Sequence, residues 1–234
     1  MLIKLILKEF IILNLLFSLK IILIFAQKKE RIVFSLLNLN NVMKTNYEID
    51  KIKAVVLYIL KKSGGTLDYI TLFKKMYFAQ QLFLVRYGRL IFNDSFRAVK
   101  LGPVPSFTYK SFRASLECDG TETEDIKKFD SSFIVKEEDR VKYVSAKDDP
   151  DMDELAEAEV EVLNEVISRT QGMTPSQLSD LSHDYAWKVA NERAKNDSND
   201  NYISIVNIAR AGGANKAMLD YIRQNQTFHD FCRE

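Results

Sequence analysis

Histidine, cysteine, proline and tryptophan are scarce in this 234-residue chain, which has two, two, four and one of them. Two cysteines, Cys118 and Cys232, make at most one bridge. That excludes a disulfide framework, and a reducing cytosol fits better than secretion, so a cytoplasmic protein is expected. Structural zinc draws on about four Cys, His or carboxylate ligands. His229 and Cys232 are a lone pair with no second pair to complete a set. Cys118 closes a helical segment rather than opening one, so no N-terminal dipole lowers its pKa. Ser182, His183 and Asp184 have the residue types of a nucleophilic triad, but adjacent residues on a helix point apart. Gly212 and Gly213 lack the Lys and Ser/Thr of a phosphate-binding loop. No catalytic residue, cofactor or metal is therefore assigned, and the chain is not expected to be an enzyme.

Charge of one sign is also missing. The chain carries a formal +1, unevenly spread. Residues 1–42 hold six Lys/Arg and two Asp/Glu, which leaves 27 basic and 30 acidic groups, a net of −3, in residues 43–234. A mildly acidic body has no general attraction for nucleic acid, so that partner is not expected.

Residues 1–42 lack Gly, Pro and Asp altogether, and Phe10 to Ala26 is apolar apart from Asn14, Ser18 and Lys20. Three readings compete. A membrane anchor needs about 20 apolar residues, and a central Lys opposes insertion by about 2.5–3.5 kcal/mol. A signal peptide would use Lys4 and Lys8 as its basic start, but no small-x-small cleavage site follows. The third reading, which the composition favours, is translated upstream sequence, with Met43 as the true start. A membrane is then a partner only if residues 10–26 are a real anchor. Residues 43–234 are expected to form a single helical domain.

That body begins with a capping box, Thr45 with Glu48, ahead of a helix over about Asn46 to Lys62. A second helix is expected from about Leu67 to Tyr87, stopped by Gly88. Residues 89–100 read as extended or irregular. Gly102, Pro103, Val104 and Pro105 then read as a turn, and Ser106 to Cys118 as a third helix. Residues 119–131 are polar and read as a loop. Ser132–Lys136 and Arg140–Ser145 flank a polar turn at 137–139, a hairpin pattern. A fourth helix is expected from Met152 to Arg169. Thr174, Pro175 and Gln177 open a short one, and Ser182 is a plausible cap for the helix carrying Trp187. Two more helical segments, Ser204–Ala211 and Ala214–Gln224, close the chain. The fold class is mostly α (α+β), a compact helical domain with a small β-hairpin.

The order of pieces in KKMYFAQ (74–80), YGRLIFNDSFRAVK (87–100), LGPVPSFTY (101–109) and LSHDYAWKVA (181–190) resembles the SocA-like antitoxins, also called the Panacea domain, a bacterial and phage-associated family. The resemblance spans roughly residues 48 to 195. No one motif is specific; order and spacing carry it. Lys75, Tyr77, Tyr87, Gly88, Gly102, Pro103 and Val104 are its structural positions. Val99 and Leu101 depart from it, where relatives often carry Trp and an aromatic. The resemblance implies a protein that binds and neutralises a cognate toxin encoded next to it, by occlusion or as an adaptor that delivers the toxin to a protease.

Within those motifs, Arg97, Lys100 and Tyr109 are the side chains most able to be exposed and directional, of types favoured at binding hot spots. His183 and Trp187, four residues apart, are either a partner-contact pair or a core anchor with its helix-end partner. Arg86, Arg89, Arg97, Lys100 and Lys110, interleaved with Tyr87, Phe92, Phe96 and Tyr109, read better as a solvated face over buried rings than as a nucleic-acid site. A winged-helix regulator is the alternative function, with Lys136, Arg140 and Lys142 on the wing. The acidic tip Glu137–Asp139 opposes it, since it would repel phosphate.

Overall fold

The structure, a computed structural model, describes residues 44–117 and 123–231, with side chains described to residue 226. The chain divides into two units, residues 1–44 and 45–234, and every element below belongs to the second. The expectations for residues 1–42 and for the side chains of Cys118, His229 and Cys232 fall outside the described residues.

Helix α1 (Asn46–Lys62) starts where its capping box predicts. The Glu48 N–H donates to Thr45 Oγ1, and the Thr45 N–H to Glu48 Oε2 at 2.8 Å. Its apolar stripe widens to most of the surface, with Ile49, Ile52, Val55, Val56, Ile59 and Leu60 all buried, as suits a helix covered on several sides. The second helix starts later than expected. Leu67 lies in strand β1 (Thr66–Asp68), and α2 runs Tyr69–Tyr87 with Asp68 as its cap. The short strand is drawn out of the helix because it completes a sheet: Leu67 pairs with Val144, and Thr66 Oγ1 lies 2.7 Å from Ser145 Oγ.

Gly-Pro-Val-Pro is a strand rather than a turn. Strands β2 (Phe96–Val99) and β3 (Gly102–Pro105) form an antiparallel hairpin that pairs Val99 with Gly102 and Phe96 with Pro105. With a two-residue connection, positions 97/104 and 99/102 face each other with their hydrogen-bonding groups, and 98/103 and 96/105 do not. The nitrogens of Pro103 and Pro105 therefore point away from β2, where a missing donor costs nothing. On the other edge of β2, Ala98 N–H donates to Asn201 and Phe96 C=O accepts from Ile203 N–H, both at 2.8 Å. Helix α3 (Ser106–Glu117) follows, its first turn held by Asp94, which accepts from the N–H groups of Phe107 and Thr108 at 2.8 and 2.9 Å.

Most of the expected polar loop is helix α4 (Glu124–Asp130). Its two apolar residues, Ile126 and Phe129, stand one turn apart and are buried. Phe129 packs on Phe107, Phe112 and Phe133 with ring centroids 5.0 to 5.5 Å apart. A helix this short gets its stability from such packing, and sequence periodicity cannot register it. Strands β4 (Phe133–Glu138) and β5 (Val141–Ala146) form the expected hairpin with a tighter turn, Asp139 and Arg140, both at positive φ. Strand β1 joins β5, giving a three-stranded sheet in the order β1–β5–β4 rather than a lone hairpin.

The helix expected from Met152 is broken. A 3-10 turn covers Met152–Glu154, Leu155 and Ala156 are extended, and α5 runs Glu157–Arg169. The break lets Leu155 enter the core, while Lys51 reaches both the Glu154 carbonyl and the Glu159 carboxylate, the latter at 2.5 Å. Helix α6 (Pro175–Ser182) has its Thr174–Gln177 box, and α7 (Tyr185–Asn196), α8 (Ile205–Ala211) and α9 (Lys216–Phe231) follow. The fold is mostly α with two small antiparallel sheets. Among the described residues no helix is long and apolar enough to cross a membrane.

Candidate functional site

Helix α2 presents Lys74, Tyr77 and Gln81 along one face, at the spacing of successive turns. Each reaches a different chain segment. Lys74 Nζ donates to Pro103 C=O of β3 at 2.9 Å. Tyr77 Oη and Gln81 Nε2 both donate to Asp184 Oδ2, each at 2.8 Å. The other carboxylate oxygen of Asp184 accepts the Trp187 N–H at 3.1 Å and so caps α7. Asp184 is the cap, not Ser182, which ends α6. Aspartate outranks a serine two residues earlier because it also gives buried Tyr77 and half-buried Gln81 an acceptor.

The hairpin tip is tied down by its carbonyls. Ser179 Oγ donates to Leu101 C=O at 3.0 Å, and Trp187 Nε1 donates to Val99 C=O at 2.9 Å. Ser182 Oγ turns back to Ser179 C=O. Gly102 adopts φ +93°, and a Cβ there would stand 2.8 Å from Lys74 Cε and closer still to Ser182 Oγ, so only glycine fits. Leu101 and Val99, the departures from the family pattern, are 51 % and 38 % exposed and leave the core untouched.

Burial sets the electrostatics. Lys74 is 1 % exposed, and desolvation alone pushes its pKa down to about 7. Lys75, donating to Thr170 Oγ1 at 3.0 Å, is lowered for the same reason. Tyr77 is pushed well up, first by burial and then by the Asp184 charge it faces.

Four of the five expected contact residues lie around this hairpin. Arg97 rests on the Tyr202 ring, 4.2 Å from its centroid, and donates to the Tyr202 hydroxyl. Lys100 is exposed at the tip. His183 stacks on half-buried Trp187 with ring centroids 4.0 Å apart. They meet although His183 precedes the helix, because the Asp184 cap folds it back over the first turn. Tyr109 does not join them; it lies on α3, edge-on to Phe73 at 6.2 Å. The bonds from Lys74, Tyr77 and Gln81 of α2 to β3 and Asp184 form a clamp; of the structural positions, Tyr77, Gly102 and Pro103 belong to it, Val104 is half-buried beside it, and Lys75 holds the end of α5. Tyr87 packs on Phe83 at 4.6 Å, and Gly88 makes room for Tyr221 and Met218 of α9. Sequence reasoning missed Lys74, Gln81, Ser179 and Tyr202. The spacing of 74, 77 and 81 was a usable signal; Tyr202 had none, since an isolated bridge far along the chain brings it to Arg97.

The remaining cations scatter. Arg86 pairs with Glu165 at 2.5 Å, Arg89 lies over Phe83, and Phe92 and Phe96 are core rings rather than stacking platforms. Ser182 and Asp184 spend their hydrogen bonds on Ser179, Tyr77, Gln81 and Trp187 rather than on His183. Among the described residues no group of three or more His, Cys, Asp and Glu side chains could hold a metal ion.

What fold and site define is a mostly helical α+β domain whose polar side chains hold a hairpin carrying Arg97 and Lys100 at the surface, beside the rings of Trp187, His183 and Tyr202. The chain matches the family model described as antitoxin SocA-like, Panacea domain, over residues 72–188, half of its length, and it belongs to that family. Comparison with curated proteins and with solved structures finds no match.

Proposed function

We propose that this protein is a cytoplasmic antitoxin that binds a cognate toxin protein and neutralises it, without catalysis of its own. The observation that carries this is the family match from Leu72 to Lys188, which encloses the clamp, the hairpin and the α6–α7 junction. Neutralisation is by occlusion: a surface fixed in place by buried hydrogen bonds covers the toxin's working site with little ordering cost. The working protein is residues 43–234.

The test is co-expression with the product of the adjacent reading frame. The full chain and the 43–234 chain both restore growth under occlusion, and the toxin persists at an unchanged level on immunoblots. A fall in toxin level that a protease-deficient host reverses assigns delivery to a protease instead. A neighbouring product that is not toxic, or a toxic one that the chain never counters, removes the antitoxin reading.

One observation favours a second reading. The strand order β1–β5–β4, with the 139–140 turn as its tip, is that of a winged-helix domain. Glu137, Glu138 and Asp139 at the tip, and the net −3 of residues 43–234, work against contact with phosphate. Tight, salt-sensitive binding to its own promoter in a gel-shift titration would favour the regulator.

A further inference from the structure

We propose that the tip of the β2–β3 hairpin, together with Trp187 and His183 of the α6–α7 junction, is the toxin-docking surface, and that it takes an acidic segment of the toxin that also carries apolar side chains. This rests on the toxin-binding reading above and adds to it the place of contact and the chemistry of the partner.

The argument starts from charge. Among the described residues many cations are already compensated: Arg86, Arg113, Arg169, Arg193, Arg223, Lys51, Lys61 and Lys128 each face a carboxylate within 2.5 to 3.3 Å. Arg97 is held by a phenol instead, as Arg210 is by Tyr185: its guanidinium lies over the Tyr202 ring and one Nη donates to the hydroxyl, so its position is fixed while its charge stays whole. Among the described residues neither Arg97 nor Lys100 has a carboxylate partner. Asp180 and Asp200 stand on the neighbouring segments, and Asp200 is engaged by Arg193 at 3.3 Å.

The surroundings of those two cations are apolar. Val99 and Leu101 are exposed on either side of Lys100, and the stacked pair of Trp187 and His183 lies beneath Val99. An arginine, a tryptophan and a tyrosine grouped with exposed aliphatics is the composition that anchors protein interfaces. A preformed, uncompensated pair of cations selects an acidic partner and accelerates its encounter. The hairpin is also held rigid from below by Lys74, Ser179 and Trp187, so docking costs little ordering. The exposed apolar strip of Ile134 and Val141 on the β4–β5 hairpin lacks this character, since Lys136 and Glu138 beside it carry opposite signs.

The experiment uses the full chain and the toxin from the co-expression pair. Binding is measured by titration calorimetry for the wild type, for Arg97→Glu with Lys100→Glu, and for a Lys136→Glu control on β4. Circular dichroism melts check that each variant is folded. The double reversal should weaken affinity by at least about tenfold, as expected for loss of central charged contacts, while the control binds as wild type. Raising salt should weaken the wild type more than the double reversal. Benzoylphenylalanine at Leu101 should cross-link to a toxin peptide rich in Asp and Glu, and the same group at Ile134 should not cross-link. Unchanged affinity in the folded double reversal, cross-linking from Ile134 in place of Leu101, a basic cross-linked peptide or a nucleic-acid adduct each overturn the proposal. If the wild type neither binds nor rescues, the toxin reading itself fails and takes this inference with it. If the wild type rescues and the reversed variant does so equally, the toxin reading stands and only the surface falls.

Discussion

The β2–β3 hairpin is fixed by buried polar groups, while the β1–β5–β4 sheet is fixed by a cluster of phenylalanine rings. Phe107, Phe112, Phe129 and Phe133 meet at 5.0 to 5.5 Å and weld α3, α4 and β4 together. At the other hairpin a lysine, a serine and a tryptophan hold the backbone carbonyls of Pro103, Leu101 and Val99 one by one. Ring packing is tolerant of direction and fills volume. Hydrogen bonds from buried donors specify a position, because each unmade one leaves a desolvated group behind. The difference teaches which part of the molecule is held in a defined place: the hairpin that carries Arg97 and Lys100 beside the rings of Trp187, His183 and Tyr202.

The largest change is expected where the ring cluster is opened. Phe129→Ala should cost about 3–5 kcal/mol, the range for a buried Phe truncation. Urea unfolding reads it, and loss of α4 should show as faster amide exchange over residues 124–130. A cost under about 1 kcal/mol would mean that α4 is held by something other than these rings.

Next is the polar side of the comparison. Gly102→Val forces a β-branched residue into φ +93° and its Cβ against Lys74 and Ser182. We expect a loss of about 2–4 kcal/mol, from strain added to a steric clash. An unchanged melting curve would remove the clamp from the account of stability.

Lys74→Met sharpens the contrast through pH. The folded pKa of Lys74, about 7, lies below its ordinary 10.5, so between those values the unfolded chain binds the extra proton. Wild-type stability should therefore carry a contribution that rises with pH from about 7 towards 10.5, by at most about 1.4 kcal/mol per pH unit, with the full penalty of a buried charge felt below 7. The methionine variant lacks that rise. Its stability relative to wild type should fall as pH increases, and parallel profiles from pH 6 to 9.5 would show that Lys74 is not desolvated in solution.

The smallest effect belongs to the other hairpin's turn. Arg140 sits at φ +64° in the open, where glycine is at home. Arg140→Gly should change stability by under about 1 kcal/mol, since relief of the left-handed conformation is offset by glycine's greater freedom when unfolded. The same melts decide it. A gain comparable to the loss at Gly102 would put the two turns on an equal footing and break the comparison.

Legibility followed how local the cause was. Thr45 with Glu48 and Thr174 with Gln177 announce α1 and α6 because each box closes within one turn. Gly88 announces the end of α2 for the same reason. Strand β1 was unreadable as a strand because three residues have no periodicity, and what extends them is the edge of β5. Helix α4 was hidden because Ile126 and Phe129 are too few to make a stripe without the rings they meet. Arg97, Lys100, His183 and Trp187 could each be singled out by type, but their meeting required the hairpin to fold onto α7.

The sequence by itself determined most of the helices, the Thr45 and Thr174 caps and the acidic body, because these depend on residues within a few positions of one another or on composition, and it determined the family through the order and spacing of its motifs. Tertiary structure alone decided that Gly-Pro-Val-Pro is a strand, that Asp184 rather than Ser182 caps α7, that Lys74 is buried without a counter-charge, and that Arg97 faces Tyr202. Each of those depends on partners remote along the chain, and their desolvated donors and acceptors are satisfied only when the packed core brings them within hydrogen-bond reach.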